Sequence, residues 1–130
     1  MERIFLVGLG GFIGTVLRYG LGGWASRWKG SAAFPYETLL VNVLGCLAIG
    51  LLAALSEARG VFTGTTRAFL FIGVLGGFTT FSSFGYETFQ LLRGGQALGA
   101  ALNVSLQVTL GIGAVWAGDV LVRAVWGHGR

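Results

Sequence analysis

Four long apolar stretches, separated by short charged or glycine-bearing breaks, leave this chain few folds to choose from. They run from about Ile4 to Trp24, Thr38 to Leu55, Arg67 to Leu92 and Gln96 to Trp126. About 20 apolar residues wound as an α-helix cross the hydrocarbon core of a bilayer. Backbone in lipid must satisfy its own hydrogen bonds, so spans of this length are read as helices. The expectation is an all-α integral membrane protein with four transmembrane helices. Composition agrees: 54% of residues are hydrophobic and 11% charged, against roughly a quarter charged in soluble domains. Such a chain lacks the polar surface that covers a water-soluble globule, and its 130 residues make a single transmembrane domain.

Met1-Glu2-Arg3 ahead of an apolar run resembles the start of a secretion signal. The run is longer than a typical signal core and no small-residue cleavage site follows, so it reads as a retained first span. Breaks fall at Arg27-Trp28-Lys29-Gly30-Ser31, at Ser56-Glu57-Ala58-Arg59-Gly60 and at Arg93-Gly94-Gly95, with Pro35 in the first loop. Trp24 and Trp28 close the first span and Trp126 the fourth, as an interfacial aromatic belt does. Cys46 lies alone in an apolar run, leaving no disulfide framework or cysteine metal site, and reads as a small packing residue. His128 reads as a solvated tail residue.

Four spans put both termini on one side. Arg3, Arg59, Arg67, Arg123 and Arg130 then share that side, against Arg27, Lys29 and Arg93, with Arg18 added if it reaches out. That is a slight bias under the positive-inside rule. Two readings stand: a chain that inserts both ways, and one that the modest excess still orients. The net charge of +4 follows from loop arginines and, without a soluble groove of stacked aromatics, does not signal nucleic acid. Gly10 and Gly14 with Arg18 on the first span, and Gly111 with Gly113 on the fourth, are small residues at spacings that let helices approach closely. Four helices enclose little interior, so a pathway falls most economically between copies of the chain, which favours a homo-oligomer.

The third span holds the most unusual segment, GGFTTFSSFGYE from Gly76 to Glu87. Its paired glycines weaken a helix, and Thr79, Thr80, Ser82 and Ser83 compete for backbone groups. A broken helix at membrane depth is tolerated where it is buried in protein or lines a watery cavity, and broken spans present carbonyls and helix ends to ions. Helix packing is the simpler use of each residue taken singly. Phe81 and Phe84 share a helix face at i, i+3, and ring edges are positive; the pair suits either an anion or ordinary packing. Asn42 interrupts the second span, where its amide either donates to an anion or ties two helices together. Ser105 and Thr109, at i, i+4 on the fourth span, form a line of hydroxyls, with Asn103 and Gln107 on a different part of that helix.

Arg18 lies well inside the first span, where a central arginine costs about 2.5–3.5 kcal/mol on insertion scales; it should face a vestibule or snorkel. Glu2, Glu57 and Asp119 lie near span ends, Glu37 precedes the second span, and Glu87 is the acid close to the broken helix. No span has a central carboxylate of the kind a proton-coupled carrier uses. No nucleophile–base arrangement, zinc-protease motif or phosphate loop is present, so no enzyme is expected.

GGFIGTVLRYGLG in the first span, TLLVNVLGCLAIG in the second and GGFTTFSSFGYET in the third together carry a resemblance. Along essentially its whole length the chain resembles the Fluc (CrcB) family of small fluoride channels. The resemblance implies an antiparallel, dual-topology homodimer with two fluoride pores, each lined by both subunits. It implies that Phe81 and Phe84 offer ring edges to fluoride, that Asn42 donates to the ion, and that Ser105 and Thr109 form a hydroxyl track, with Thr80 beside them in the pore. Arg18 and Thr38 would belong to the vestibule. Gly76 and Thr79 would offer backbone carbonyls to a structural sodium ion (Na+) on the dimer axis, a hard cation that needs no carboxylate ligand. Passive export of toxic fluoride across the plasma membrane, and hence fluoride resistance, is the implied role.

The chain departs from the family pattern at Glu37, where glycine is common, at Ser83, where threonine is usual, and at Gly85, often serine. Glu37 would repel anions near a vestibule. Alternatives of other classes are a small dual-topology coupled exporter and a non-conducting subunit that pairs with a paralogue.

Overall fold

A computed structural model describes residues 1–29 and 34–127. Gly30, Ser31, His128 and Arg130, and the side chains of Trp28 and Lys29, lie outside the described residues. Helix α1 spans Glu2–Lys29 and α2 spans Tyr36–Arg59. A third run, α3, joins a short turn Gly64–Arg67, a π-helical stretch Ala68–Leu75 and a last turn Gly76–Phe78. After Thr79 and Thr80 the chain resumes as α4, Phe81–Arg93, and ends with α5, Ala97–Trp126. Helices α1, α2, the run 64–93 and α5 are each long and apolar enough to cross a membrane. Several helices overrun the expected apolar limits because the charged residues at their ends remain helical. Gly60 stops α2 at φ 59°, its N–H returning to the Ser56 carbonyl, a left-handed cap that glycine adopts without strain.

The side-chain distribution is inside out relative to a soluble protein. Buried apolar residues are mostly small or medium: Val41, Ala54, Leu75, Leu91, Ala100 and Val122. Ile4, Phe5, Phe12, Ile112 and Trp116 stand outward, 67% to 76% exposed. In lipid such a surface costs nothing, whereas helix association must come from close packing and polar contacts.

Glycine supplies the close packing along two seams. On the first, α1 lies along α3: a Cβ on Gly10 would fall 2.7 Å from the Phe69 carbonyl, one on Gly77 2.5 Å from that of Gly11, and one on Gly14 would overlap the Val74 carbonyl. On the second, α2 lies along α5, where a Cβ on Gly118 would sit 2.7 Å from the Leu47 carbonyl and one on Gly50 would overlap that of Val115. The expected pairing on the fourth span is thus corrected. Gly113 faces open space and Gly111 meets only the Cys46 Sγ at 3.4 Å; the tight contact belongs to Gly118, one turn and more further on.

Polar ties fix the helix ends on one side. Arg67 Nη1 donates to Ser56 Oγ at 2.8 Å. Arg123 pairs with Glu57 at 3.1 Å and with Asp119 at 2.8 Å. Trp24 and Trp126 are about half exposed near helix ends, as an interfacial position requires.

Candidate ion pathway

Two residues of the third span leave helical dihedrals. Thr79 is extended at φ −83°, ψ 159° and Thr80 at φ −150°, ψ 112°, while the run from 64 to 93 as a whole bends by only 20°. The paired glycines are not themselves the interruption. Gly76 and Gly77 are helical, and Gly77 is spent on the close approach to Gly11. Hydroxyls finish both ends of the gap. Thr79 Oγ1 donates back to the Leu75 carbonyl at 2.9 Å, and Thr80 Oγ1 accepts from the Ser83 N–H at 3.2 Å as the N-cap of α4. A continuing helix would give the Thr80 N–H to Gly76 and the Ser83 N–H to Thr79. With Thr80 N–H and Ser83 N–H bonded elsewhere, the Gly76 and Thr79 carbonyls lose those partners.

Asn42 of α2 holds the gap from the side. Its Oδ1 accepts the Thr80 N–H at 2.8 Å, and its Nδ2 donates to the Thr80 carbonyl at 3.1 Å. The amide stands in for the peptide group that a regular helix would have supplied. Its second Nδ2 proton goes to Gln107 Oε1 on α5, also at 3.1 Å. One side chain therefore links three helices across the interruption. Of the two uses open for Asn42, the tie between helices is the one this conformation displays.

Two cavities meet at Thr80, which lines both. The outer one, about 450 Å³, is bounded by Arg18 and Thr15 of α1, by Glu37 and Thr38 of α2, and by Ser83 and Glu87 of α4. Thr38 is buried and donates to Glu87 Oε1 at 2.6 Å. The inner cavity, about 390 Å³, is bounded by Asn42, Cys46, Gly76, Thr79, Phe81, Phe84 and Gln107 among others. The Phe81 and Phe84 rings meet edge to face, centroids 5.4 Å apart at 61°. Phe81 is 81% exposed, so its outer edge is available to whatever covers this face.

On α5 the polar residues divide between two faces. Asn103 is wholly buried and donates to Thr88 Oγ1 at 2.9 Å, and Thr88 donates to the Phe84 carbonyl at 2.7 Å. Gln107 follows one turn later, beside Asn42. Ser105 and Thr109 are exposed, about half a turn round, with Thr109 Oγ1 donating to the Ser105 carbonyl at 2.7 Å. Within the chain, then, Arg18 and Thr38 are brought together, as are Asn42, Thr79, Thr80, Phe81, Phe84 and Gly76; Ser105 and Thr109 do not join them. Sequence reasoning named Asn103 and Gln107 without giving them a role, and did not pair Thr38 with Glu87. The signal for the first two was present in their own i, i+4 spacing.

An apolar four-span bundle, with an extended Thr79–Thr80 pair bonded to an amide between two polar-lined cavities, has the makings of a small membrane channel or carrier. Residues 5–119 match the family described as CrcB-like protein, Camphor Resistance (CrcB). The chain is 48% identical over 127 residues to a "Fluoride-specific ion channel FluC" of Thermus thermophilus, covering 98% of this chain and all of the relative. It is 44% identical over 120 residues to "Fluoride-specific ion channel FluC 1" of Methanosarcina acetivorans, covering 92% and 90%. The chain is a multi-pass membrane protein and belongs to the CrcB family.

Proposed function

We propose that this protein is a fluoride-selective channel that lets toxic fluoride leave the cytoplasm passively through the plasma membrane. The names of its close relatives support that reading. The observation that carries it within the structure is Thr80 standing between two cavities, with Arg18 on the outer side and Phe81, Phe84 and neutral amides on the inner. A small, strongly hydrated anion is drawn by a cation at the mouth and then exchanges water for hydrogen-bond donors and positive ring edges. Neutral donors suit release as well as entry, because a buried full cation would hold the ion too tightly.

The exposed Phe81 and the open side of the inner cavity favour a second copy as its cover. We read the working unit as an antiparallel, dual-topology homodimer with two pores, into which the partner helix could bring Ser105 and Thr109. The extended pair Thr79–Thr80 is then a functional break. Its carbonyl donors fit a sodium ion on the dimer axis: Gly76 and Thr79 have each lost a helix partner, and neutral oxygens suit a hard monovalent cation. Sodium there would supply charge that holds the two breaks together.

One observation favours a coupled exporter as the second reading. Glu87 puts a carboxylate inside the outer cavity, where such a carrier needs one. Fluoride efflux from liposomes holding the purified protein, read with an electrode and with a potassium ionophore to balance charge, separates the two. A channel gives rapid efflux that needs the ionophore and leaves chloride behind. Efflux that required a proton gradient would overturn the channel reading in favour of the carrier.

A further inference from the structure

We propose that a groove between the end of α1 and the start of α2 binds an anionic phospholipid, whose acyl chain fills the groove and whose phosphate meets Arg27. The groove holds about 560 Å³ and is lined by Trp24 of α1, by Tyr36, Leu39, Leu40 and Val43 of α2 and by Leu110 of α5, among others. It exists because glycine draws the helices together elsewhere. Gly10 and Gly14 seat α1 on α3, and Gly50 and Gly118 seat α2 on α5. Toward the other end of α1, a Cβ on Gly20, Gly22 or Gly23 would meet nothing within 4 Å, so no such seam closes the gap to α2. The α2 residues that line the gap recur at i, i+3, i+4 and i+7, which makes a continuous apolar wall along one helix face.

A space walled by leucine and valine offers water few partners, and the bilayer supplies what fills it. Trp24 and Tyr36 are about half exposed and sit at helix ends, as side chains at the headgroup level do. The groove therefore opens among the headgroups and runs inward to Leu110, midway along α5, the path of an acyl chain. A hydrocarbon tail packs no better on leucine than on another tail, so a preference among lipids must come from the head. Arg27 stands one turn beyond Trp24 on the same side of α1. It is exposed and has no acidic partner among the described residues. A headgroup with net negative charge supplies that partner, whereas a zwitterionic head brings its own ammonium. A second copy covering the inner cavity leaves the groove free. Asn42 lies about a third of a turn from the middle of the α2 wall, and Ser105 and Thr109 lie about a third of a turn from Leu110.

Trp24 is the reporter for the test. The full-length chain has four tryptophans; with Trp28, Trp116 and Trp126 replaced by phenylalanine, it is reconstituted in vesicles of phosphatidylcholine and phosphatidylglycerol. One lipid or the other carries bromine on its acyl chains, and quenching of Trp24 against composition gives their relative affinity. Phosphatidylglycerol should be favoured about five-fold, the effect of one arginine beside an anionic head, and the preference should fade as salt screens the charge. Arg27→Gln should abolish the preference and Arg27→Lys should keep it. Val43→Phe fills the groove and should remove most of the preference; Leu39→Phe, on the same wall, does so where Val43→Phe fails to fold. Equal quenching by the two lipids in the single-tryptophan protein would overturn the inference. So would a preference undiminished by filling the groove, which leaves Arg27 as a general attractor of anionic lipid. Trp24 quenched by neither lipid would place a second copy over the groove and overturn it too. None of these outcomes depends on whether the protein conducts fluoride.

Discussion

Replacing Asn42 with leucine removes that side chain's polar atoms while keeping its branching and its number of heavy atoms. Three hydrogen bonds disappear: those to the Thr80 N–H, to the Thr80 carbonyl and to Gln107 Oε1. The first two matter most, because the extended backbone at Thr79 and Thr80 has no helical neighbour to take them over. Leaving a buried backbone group unsatisfied costs about 1–3 kcal/mol, so two such groups give roughly 2–6 kcal/mol in a dry site. Thr80 lines both cavities, and water reaching it would recover part of that. Polar contacts in membrane proteins also average only about 0.6 kcal/mol in mutant cycles. The expected loss for Asn42→Leu is therefore about 2–4 kcal/mol. Equilibrium unfolding in mixed detergent measures the loss, and amide hydrogen exchange at Thr80 locates it. Exchange there should speed up while that of α2 and α5 is unchanged. A leucine variant as stable as wild type, with Thr80 exchanging at the wild-type rate, would refute the claim that this side chain replaces the missing helical bonds.

Other outcomes follow from the same geometry. Gly118→Val drives a branched side chain into the Leu47 carbonyl 2.7 Å from its Cβ position and should prevent a stable α2–α5 seam, read as loss of the monodisperse peak in size-exclusion chromatography. Gly113→Ala meets nothing within 4 Å and should be neutral or stabilising by up to about 1 kcal/mol, the helix-propensity difference, in a thermal melt. Thr38→Val deletes the 2.6 Å bond to Glu87 and should lower stability by about 0.5–1.5 kcal/mol, the range for a single hydrogen bond. Thr38→Ser should restore most of that in the same unfolding assay. Under the channel reading, Glu37→Gly removes a negative charge from the outer cavity and should raise fluoride efflux at low ionic strength, with the gain fading as salt screens the field.

Hydropathy was enough to specify four membrane helices and their approximate ends, because the length of apolar run needed to span a bilayer is set by the solvent and not by the neighbours. The pattern of hydroxyls raised the expectation of a break in 76–87, since threonine and serine compete for backbone groups locally; in the structure only Thr79 and Thr80 leave helical dihedrals, and the run bends by 20°. What single-chain reading could not resolve was which of two equivalent-looking stripes faces inward. On α5, Asn103 with Gln107 and Ser105 with Thr109 have the same i, i+4 spacing and differ by about half a turn. Only the packing of α5 on α2 and α4 decides that the amides are enclosed and the hydroxyls are not. The same holds for the glycines. Gly111, Gly113 and Gly118 look alike as small residues on a span, and the crossing of α5 over α2 singles out Gly118 as the one without room for a Cβ. Asn42 was visible as an oddity in an apolar run, but its partners lie 38 and 65 residues away. Periodicity and propensity report a residue's relation to its near neighbours in sequence. Hydrogen-bond partners so distant in the chain are chosen by how helices dock, and the tertiary structure alone supplies them.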